Sequence, residues 1–215
     1  MFLLDDKMQF PPTQLADAEG WLAMGGDLSV QRLILAYSKG IFPWYNEDEP
    51  ILWWTPDPRC VLFPENLLIS QSMRQVLRKN TFEFRFNTAF ETVMNNCRLV
   101  SRTGQKGSWI QDEMMIAYSE LNRLGLAVSG ECWENGELVG GLYGVCLKGV
   151  FFGESMFHHR SNASKFAFVH TVKHLQSKGL KLIDCQQSTN HLISLGAEMI
   201  SREAFEALLD QFLEK

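Results

Sequence analysis

The stretch LAVSGECWENGELVGGLYGVCLKGVFFGESMF, residues 126–157, decides the fold. It holds three apolar runs, 126–134, 137–147 and 150–157, separated by Asn135-Gly136 and Lys148-Gly149. Both dipeptides can adopt the positive φ of a tight two-residue turn, so the pattern predicts a three-stranded antiparallel meander. Downstream, Asn162 is placed to cap a helix running to Lys178, with Phe168, Val172 and Leu175 on one stripe and Gly179 as its stop. A short strand over 181–186, a small helix over 190–195 and a strand around 197–200 follow, and a helix with Phe205, Leu208, Leu209 and Phe212 on one face completes the chain. This order implies an α+β sheet with helices on its faces.

Upstream of the meander, residues 112–124 read as a helix stopped by Gly125, preceded by a helix with Phe90, Val93, Met94 and Cys97 inward. Phe82, Phe84 and Phe86 alternate with Glu83 and Arg85, the period of a strand with one buried face. A short helix is expected over 70–79. The first third differs in texture. Ser29 looks like an N-cap for a helix over 30–39 that ends at Gly40. Residues 41–58 hold four prolines and three tryptophans (Trp44, Trp53, Trp54), which makes long regular structure improbable there. No linker or repeat marks a boundary. The change of pattern divides the chain into a small N-terminal domain over 1–90 and a larger one over 91–215.

Composition bounds the function. In 215 residues, 46% are hydrophobic and 21% charged, enough apolar material for a buried core. A net charge of −5 argues against a uniformly basic nucleic-acid coat but leaves a local patch open. Residues 59–106 supply such a patch: eight basic side chains, Arg74, Arg78 and Lys79 among them, against three acidic ones. No apolar run approaches the ~18–20 residues that span a bilayer, and Asp5 and Asp6 interrupt any leader, so a cytoplasmic protein is expected. Five widely spaced cysteines with no C-x-x-C suggest buried thiols, neither a disulfide framework nor a zinc site.

Familiar catalytic motifs are missing. There is no phosphate loop of the G-x-x-x-x-G-K-[ST] type and no strand-borne G-x-G-x-x-G. His170 and His174 share a helix face, but Thr171 stands where a zincin needs Glu. His158-His159 reads as a solvated strand end. Cys185 is expected to point away from Asp184 and Gln186, as a packed thiol does. Two carboxylates stand out because burying one costs several kcal/mol unless it is partnered. Asp184 lies in Leu182-Ile183-Asp184-Cys185-Gln186, and Glu154 in Phe151-Phe152-Gly153-Glu154-Ser155-Met156-Phe157. They are either a structural network or a site, and two such segments in one sheet make a site the more informative reading.

Further strings accompany them: Gly25-Gly26-Asp27-Leu28-Ser29, Gly40-Ile41-Phe42-Pro43-Trp44, Ile51 through Arg59, and Gly140-Gly141-Leu142-Tyr143-Gly144. Together, in order over about residues 20–200, they resemble the bacterial leucyl/phenylalanyl-tRNA-protein transferases. The resemblance implies a GNAT-like mixed sheet with flanking helices, preceded by a smaller N-terminal domain. It implies transfer of Leu or Phe, with Met a third expected donor, from charged tRNA to proteins with N-terminal Arg or Lys, which marks them for degradation. By position, Asp184 and Gln186 match the family's proposed catalytic pair and Glu154 its active-site glutamate. Trp44, Trp109, Phe151 and Met156 match its aminoacyl side-chain pocket. Leu142, where Met is familiar, and Thr171 and Leu175, where aromatics occur, depart from the pattern.

The chemistry fits these residues without a coenzyme. An α-amine of pKa about 7.7–8.0 must lose its proton to attack an ester, so an acceptor is needed. Asp184 could polarise Gln186 or take the proton itself, and an amide donor could hold the oxyanion. The ester is already activated, so no ATP, metal or cofactor is called for. Asp184→Asn is expected to keep the fold and lower turnover. The basic face over 59–106, represented by Arg74, Arg78 and Lys79, could hold the tRNA acceptor stem by its phosphates. Two other readings stay open. A GNAT-type N-acetyltransferase using acetyl-CoA would want an R/Q-x-x-G-x-G/A loop, and Arg102 through Gly107 has the wrong spacing for it. A non-catalytic module binding N-terminal residues or RNA needs only the aromatic lining.

Overall fold

The computed structural model describes residues 2–100 and 110–213. A four-stranded sheet comes first, in order β1-β2-β4-β3: β1 (Phe2–Leu4), β2 (Trp21–Gly25), β3 (Phe42–Pro43) and β4 (Leu52–Trp54). Between β2 and β3 runs α1 (Val30–Ser38), whose N-cap Ser29 accepts a hydrogen bond from the Arg32 N–H, as its sequence position suggested. Gly40 ends that helix at φ +71°, and a Cβ there would lie 2.8 Å from Cε1 of Phe205, so both the turn and the packing require glycine.

The larger sheet has seven strands in the order β11-β5-β10-β9-β8-β7-β6. They are β5 (Arg59–Leu62), β6 (Glu83–Phe86), β7 (Ala127–Glu134), β8 (Glu137–Leu147), β9 (Val150–His158), β10 (Leu182–Gln186) and β11 (Glu198–Ile200). β7, β8 and β9 form the expected meander, with Asn135, Gly136 and Lys148 all at positive φ in its turns. β10 lies parallel to β9 and antiparallel to β5, so the sheet is mixed. This is the α+β architecture expected from the sequence.

The helices are α2 (Gln71–Arg78), α3 (Phe90–Leu99), α4 (Asp112–Arg123), α5 (Ala163–Gln176), α6 (Asn190–Ser194) and α7 (Arg202–Leu213). Two cores flank the large sheet. Phe152 faces a core built with α1, α3, α4, α7 and the small sheet, while its neighbour Phe151 faces one built with α2 and α5. The sequence-based division at residues 90 and 91 does not coincide with the change from one sheet to the other. β5 and β6 precede residue 91 yet are strands of the large sheet, so the change of sheet falls between Trp54 and Arg59. The sequence hides this because β5 joins its sheet only through partners more than a hundred residues away. Asn162 also differs from expectation: it sits at the N-cap of α5 with φ 70°, and its side chain makes no capping hydrogen bond. Among the described residues no helix is long and apolar enough to cross a membrane.

Candidate active site

β9 and β10 pair only through Val150–Leu182, Phe151–Ile183 and Phe152–Asp184, and then part. β9 continues along β8 to His158, and the gap opens into a cavity of ≈ 880 Å³, within the range typical of small-molecule sites. Two irregularities aim side chains into it. Tyr143 pairs with Ser155 and Gly144 with Gly153, which leaves Glu154 as an unopposed bulge residue on β9. The bulge fits only against glycine, since a Cβ on Gly144 would stand 2.1 Å from the Phe152 carbonyl oxygen. On β10 the register shifts between Asp184 and Gln186, and Gln186 takes φ 61°. Cys185 borders the cavity but packs with Cys60 and Ile183 against the α2 and α5 core, the packed thiol expected from the sequence. Its thiol is pushed well above the usual range, first by a hydrogen bond with Cys60 and then by burial, an environment unlike that of a nucleophile.

Asp184 has no solvent exposure. Its Oδ1 accepts from Arg59 Nε at 2.8 Å and its Oδ2 from Arg59 Nη2 at 2.7 Å. The Gln186 backbone N–H adds a third bond to Oδ1 at 2.8 Å. The guanidinium itself lies between the rings of Phe42 and Phe205, 4.9 and 4.7 Å from their centroids. With its lone pairs engaged in this way, Asp184 holds the Gln186 backbone in its unusual conformation and is badly placed to take a substrate proton. Arg59, counted from the sequence among the basic residues facing RNA, is instead a fully buried anchor. Its position in the apolar run Arg59-Cys60-Val61-Leu62-Phe63 was the available signal.

Glu154 sits differently. Its Oε1 accepts from Tyr37 Oη at 2.8 Å and from Gln186 Nε2 at 3.1 Å, and Tyr118 Oη lies 3.4 Å from Oε2. The two tyrosine hydroxyls also bond each other. No cation touches this carboxyl among the described residues. Burial, with the nearby Asp184 charge, therefore raises its pKa to about 8 despite the Tyr37 bond. Tyr37 and Tyr118, from α1 and α4, were not singled out in the sequence. Their mid-helix positions look like ordinary core there, and the only hint was an apolar face carrying a hydroxyl.

The remaining expected site residues divide. Trp44, Leu142 and Met156 line the cavity. Phe151 does not: it is 2% exposed and packs in the core beneath, because strand alternation turns it toward α5. Trp109 lies outside the described residues. Arg74, Arg78 and Lys79 are exposed on or just after α2. His170 stacks on Phe84 and packs at a tilt against Phe166, and His174 packs against Phe86. No group of three or more metal-binding side chains occurs among the described residues.

Comparison with known proteins bears on what such a cavity does. The profile described as leucyl/phenylalanyl-tRNA protein transferase matches residues 61–210, and that of the N-terminal domain of the same proteins matches residues 26–57. The chain belongs to the leucyl/phenylalanyl-tRNA-protein transferase family. Membership makes it an aminoacyltransferase and sets the acetyltransferase and non-catalytic readings aside. The two matched segments meet where the small sheet gives way to the large one. A family member from Syntrophobacter fumaroxidans is 56% identical, over 97% of this chain and 89% of its own length. Another, from Christiangramia forsetii, is 54% identical over 95% of this chain and 98% of its own. Among solved structures, a GCN5-related N-acetyltransferase from Kribbella flavida aligns at TM-score 0.41 and 13% identity, covering 75% of this chain and 57% of its own. A likeness of that size bears no weight on the reaction.

Proposed function

We propose that this chain moves leucine or phenylalanine, and methionine as a third donor, from charged tRNA to the α-amino group of proteins that begin with Arg or Lys. The product is thereby marked for degradation, and the reaction takes place in the cytoplasm. One observation carries this reading: Glu154 and Gln186, hydrogen-bonded to each other, stand at the head of the cavity where β9 and β10 separate.

The amine attacks the ester carbonyl carbon, the C–N bond forms, the ester C–O bond breaks, and one proton passes from the amine to the departing ribose oxygen. A carboxyl with pKa about 8 is matched to an α-amine of about 7.7–8.0, so the ionised form of Glu154 can accept that proton and return it. Gln186, fixed through its backbone by Asp184 and through its amide by Glu154, orients the amine, so Asp184 acts as a positioning residue. Trp44, Leu142 and Met156 suit an unbranched or γ-branched apolar side chain. Arg74, Arg78 and Lys79 are exposed and suited to the phosphates of the acceptor stem.

Incubating the protein with an Arg-initiated peptide and, in parallel, Leu-tRNA, Phe-tRNA, Ile-tRNA or acetyl-CoA tests this. Leu and Phe should be transferred, with β-branched Ile poor. A single methylene is worth only about 1–3 kcal/mol, so the selection against Ile must come from shape. Acetylation without aminoacyl transfer would overturn the reading.

A further inference from the structure

The cavity has a second chemistry far from Glu154. His158 lies four residues further along β9, about 13 Å at the usual strand rise, and it shares that wall with Lys165 and His191. Lys165 stands in the first turn of the 14-residue α5, a turn with no acidic side chain and no side-chain cap, whose wall residues include Ser161, Asn162 and Ser164. Its ammonium makes no ion pair among the described residues. The Nε2 of His191 is buried there with no hydrogen-bond partner. His191 has its pKa lowered by burial first and then by Lys165 and His158, so the three side chains lie close together on one wall. Such a wall, with uncapped N–H groups beside it, is suited to a single negative charge held in two or three hydrogen bonds. Once about 3 Å is allowed at each end for hydrogen bonds to Glu154 and to Lys165, the remaining span is roughly that of one nucleotide from its 3′ ester to its 5′ phosphate.

We propose that this wall binds the phosphodiester that joins the terminal adenosine of charged tRNA to the preceding nucleotide, with Lys165 as its ion-pair donor. The inference rests on the transferase reading and adds to it which part of the donor the cavity holds and where. Aromatic and apolar contacts take the aminoacyl group, Glu154 and Gln186 take the ester, and the Lys165 wall takes the first phosphate.

Two synthetic donors test it: phenylalanyl-adenosine, which has no phosphodiester, and phenylalanyl-CpA, which has one. With an Arg-initiated peptide as acceptor, the wild-type kcat/KM should favour phenylalanyl-CpA by about tenfold or more, the scale of one charge-assisted hydrogen bond. Lys165→Ala should bring the ratio of the two donors toward one, and Lys165→Arg should restore most of it. Because the readout is a ratio within one preparation, partial unfolding of a variant cancels. Equal use of both donors by the wild type, or an undiminished ratio in Lys165→Ala, overturns the inference and leaves the transferase reading standing. Transfer from neither of these donors, nor from Phe-tRNA, defeats both.

Discussion

Asp184 and Glu154 are carboxyl groups of adjacent strands of one sheet, both largely enclosed, and the protein treats them in opposite ways. Asp184 meets a guanidinium in two parallel hydrogen bonds and a backbone N–H in a third. Glu154 meets only neutral groups, two tyrosine hydroxyls and a carboxamide, and its pKa rises to about 8. A full-charge partner makes the first side a fixed part of the scaffold, whereas dipoles alone leave the second able to change protonation near neutral pH. The kind of partner thus decides which of the two carboxyls can change protonation.

The sharpest way to break this contrast is to remove a partner from the fixed side. Arg59→Leu or Asp184→Asn should cost about 3–5 kcal/mol in chemical denaturation, since either leaves the other group buried and unpaired. From the sequence alone Asp184→Asn was expected to spare the fold, and the bidentate pair reverses that expectation. Wild-type stability in Asp184→Asn would show that the pair is not the anchor. A double variant, Arg59→Met with Asp184→Leu, should recover much of the stability but not the activity.

On the other side, Glu154→Gln should lower turnover by roughly 10² to 10⁴ with the fold intact. Below about pH 7.5 the logarithm of the wild-type rate should climb with a slope near two, as both amine and Glu154 lose protons. In the Gln variant the slope should drop to one, and an unchanged slope would remove Glu154 from the proton path. Stability carries the same sign. A carboxyl whose pKa rises from 4.5 to about 8 on folding favours the native state most at low pH, and that contribution is lost as pH increases from about 4.5 to 8. Glu154→Gln should therefore gain in denaturation midpoint relative to wild type across that window. The smallest effect lies outside both regions: Arg78→Ala with Lys79→Ala should flatten the salt dependence of tRNA binding by about 0.7–0.9 for each phosphate no longer neutralised, for Leu and Phe donors alike. A slope that does not move would put the RNA surface elsewhere.

What could be read from the sequence follows the range of the interaction. The meander was legible because its turns are two residues long and carry their own conformational signal at Asn135-Gly136 and Lys148-Gly149. The helices were legible from periodicity, and the polar residues inside apolar strands marked both carboxyls. The Arg59–Asp184 pair spans 125 positions and the Tyr37–Glu154 bond 117, and no local pattern encodes a partner at that distance. Nor does alternation foretell a bulge such as the one that leaves Glu154 unopposed on β9. Phe151 fails for another reason: resemblance assigned it a place in the pocket, while simple alternation with Phe152 puts it in the opposite core.

The stacking of Arg59 between Phe42 and Phe205 has a consequence for how the enzyme comes into being. During synthesis Arg59 and Phe42 leave the ribosome early, while Asp184 follows 125 residues later and Phe205 later still. Until α7 closes over Gly40 and the guanidinium, a charged group bound for the interior has no company there. The buried Arg59–Asp184 pair beneath the cavity is therefore among the later parts of the fold to be enclosed, and it is fully covered only once α7 has been made.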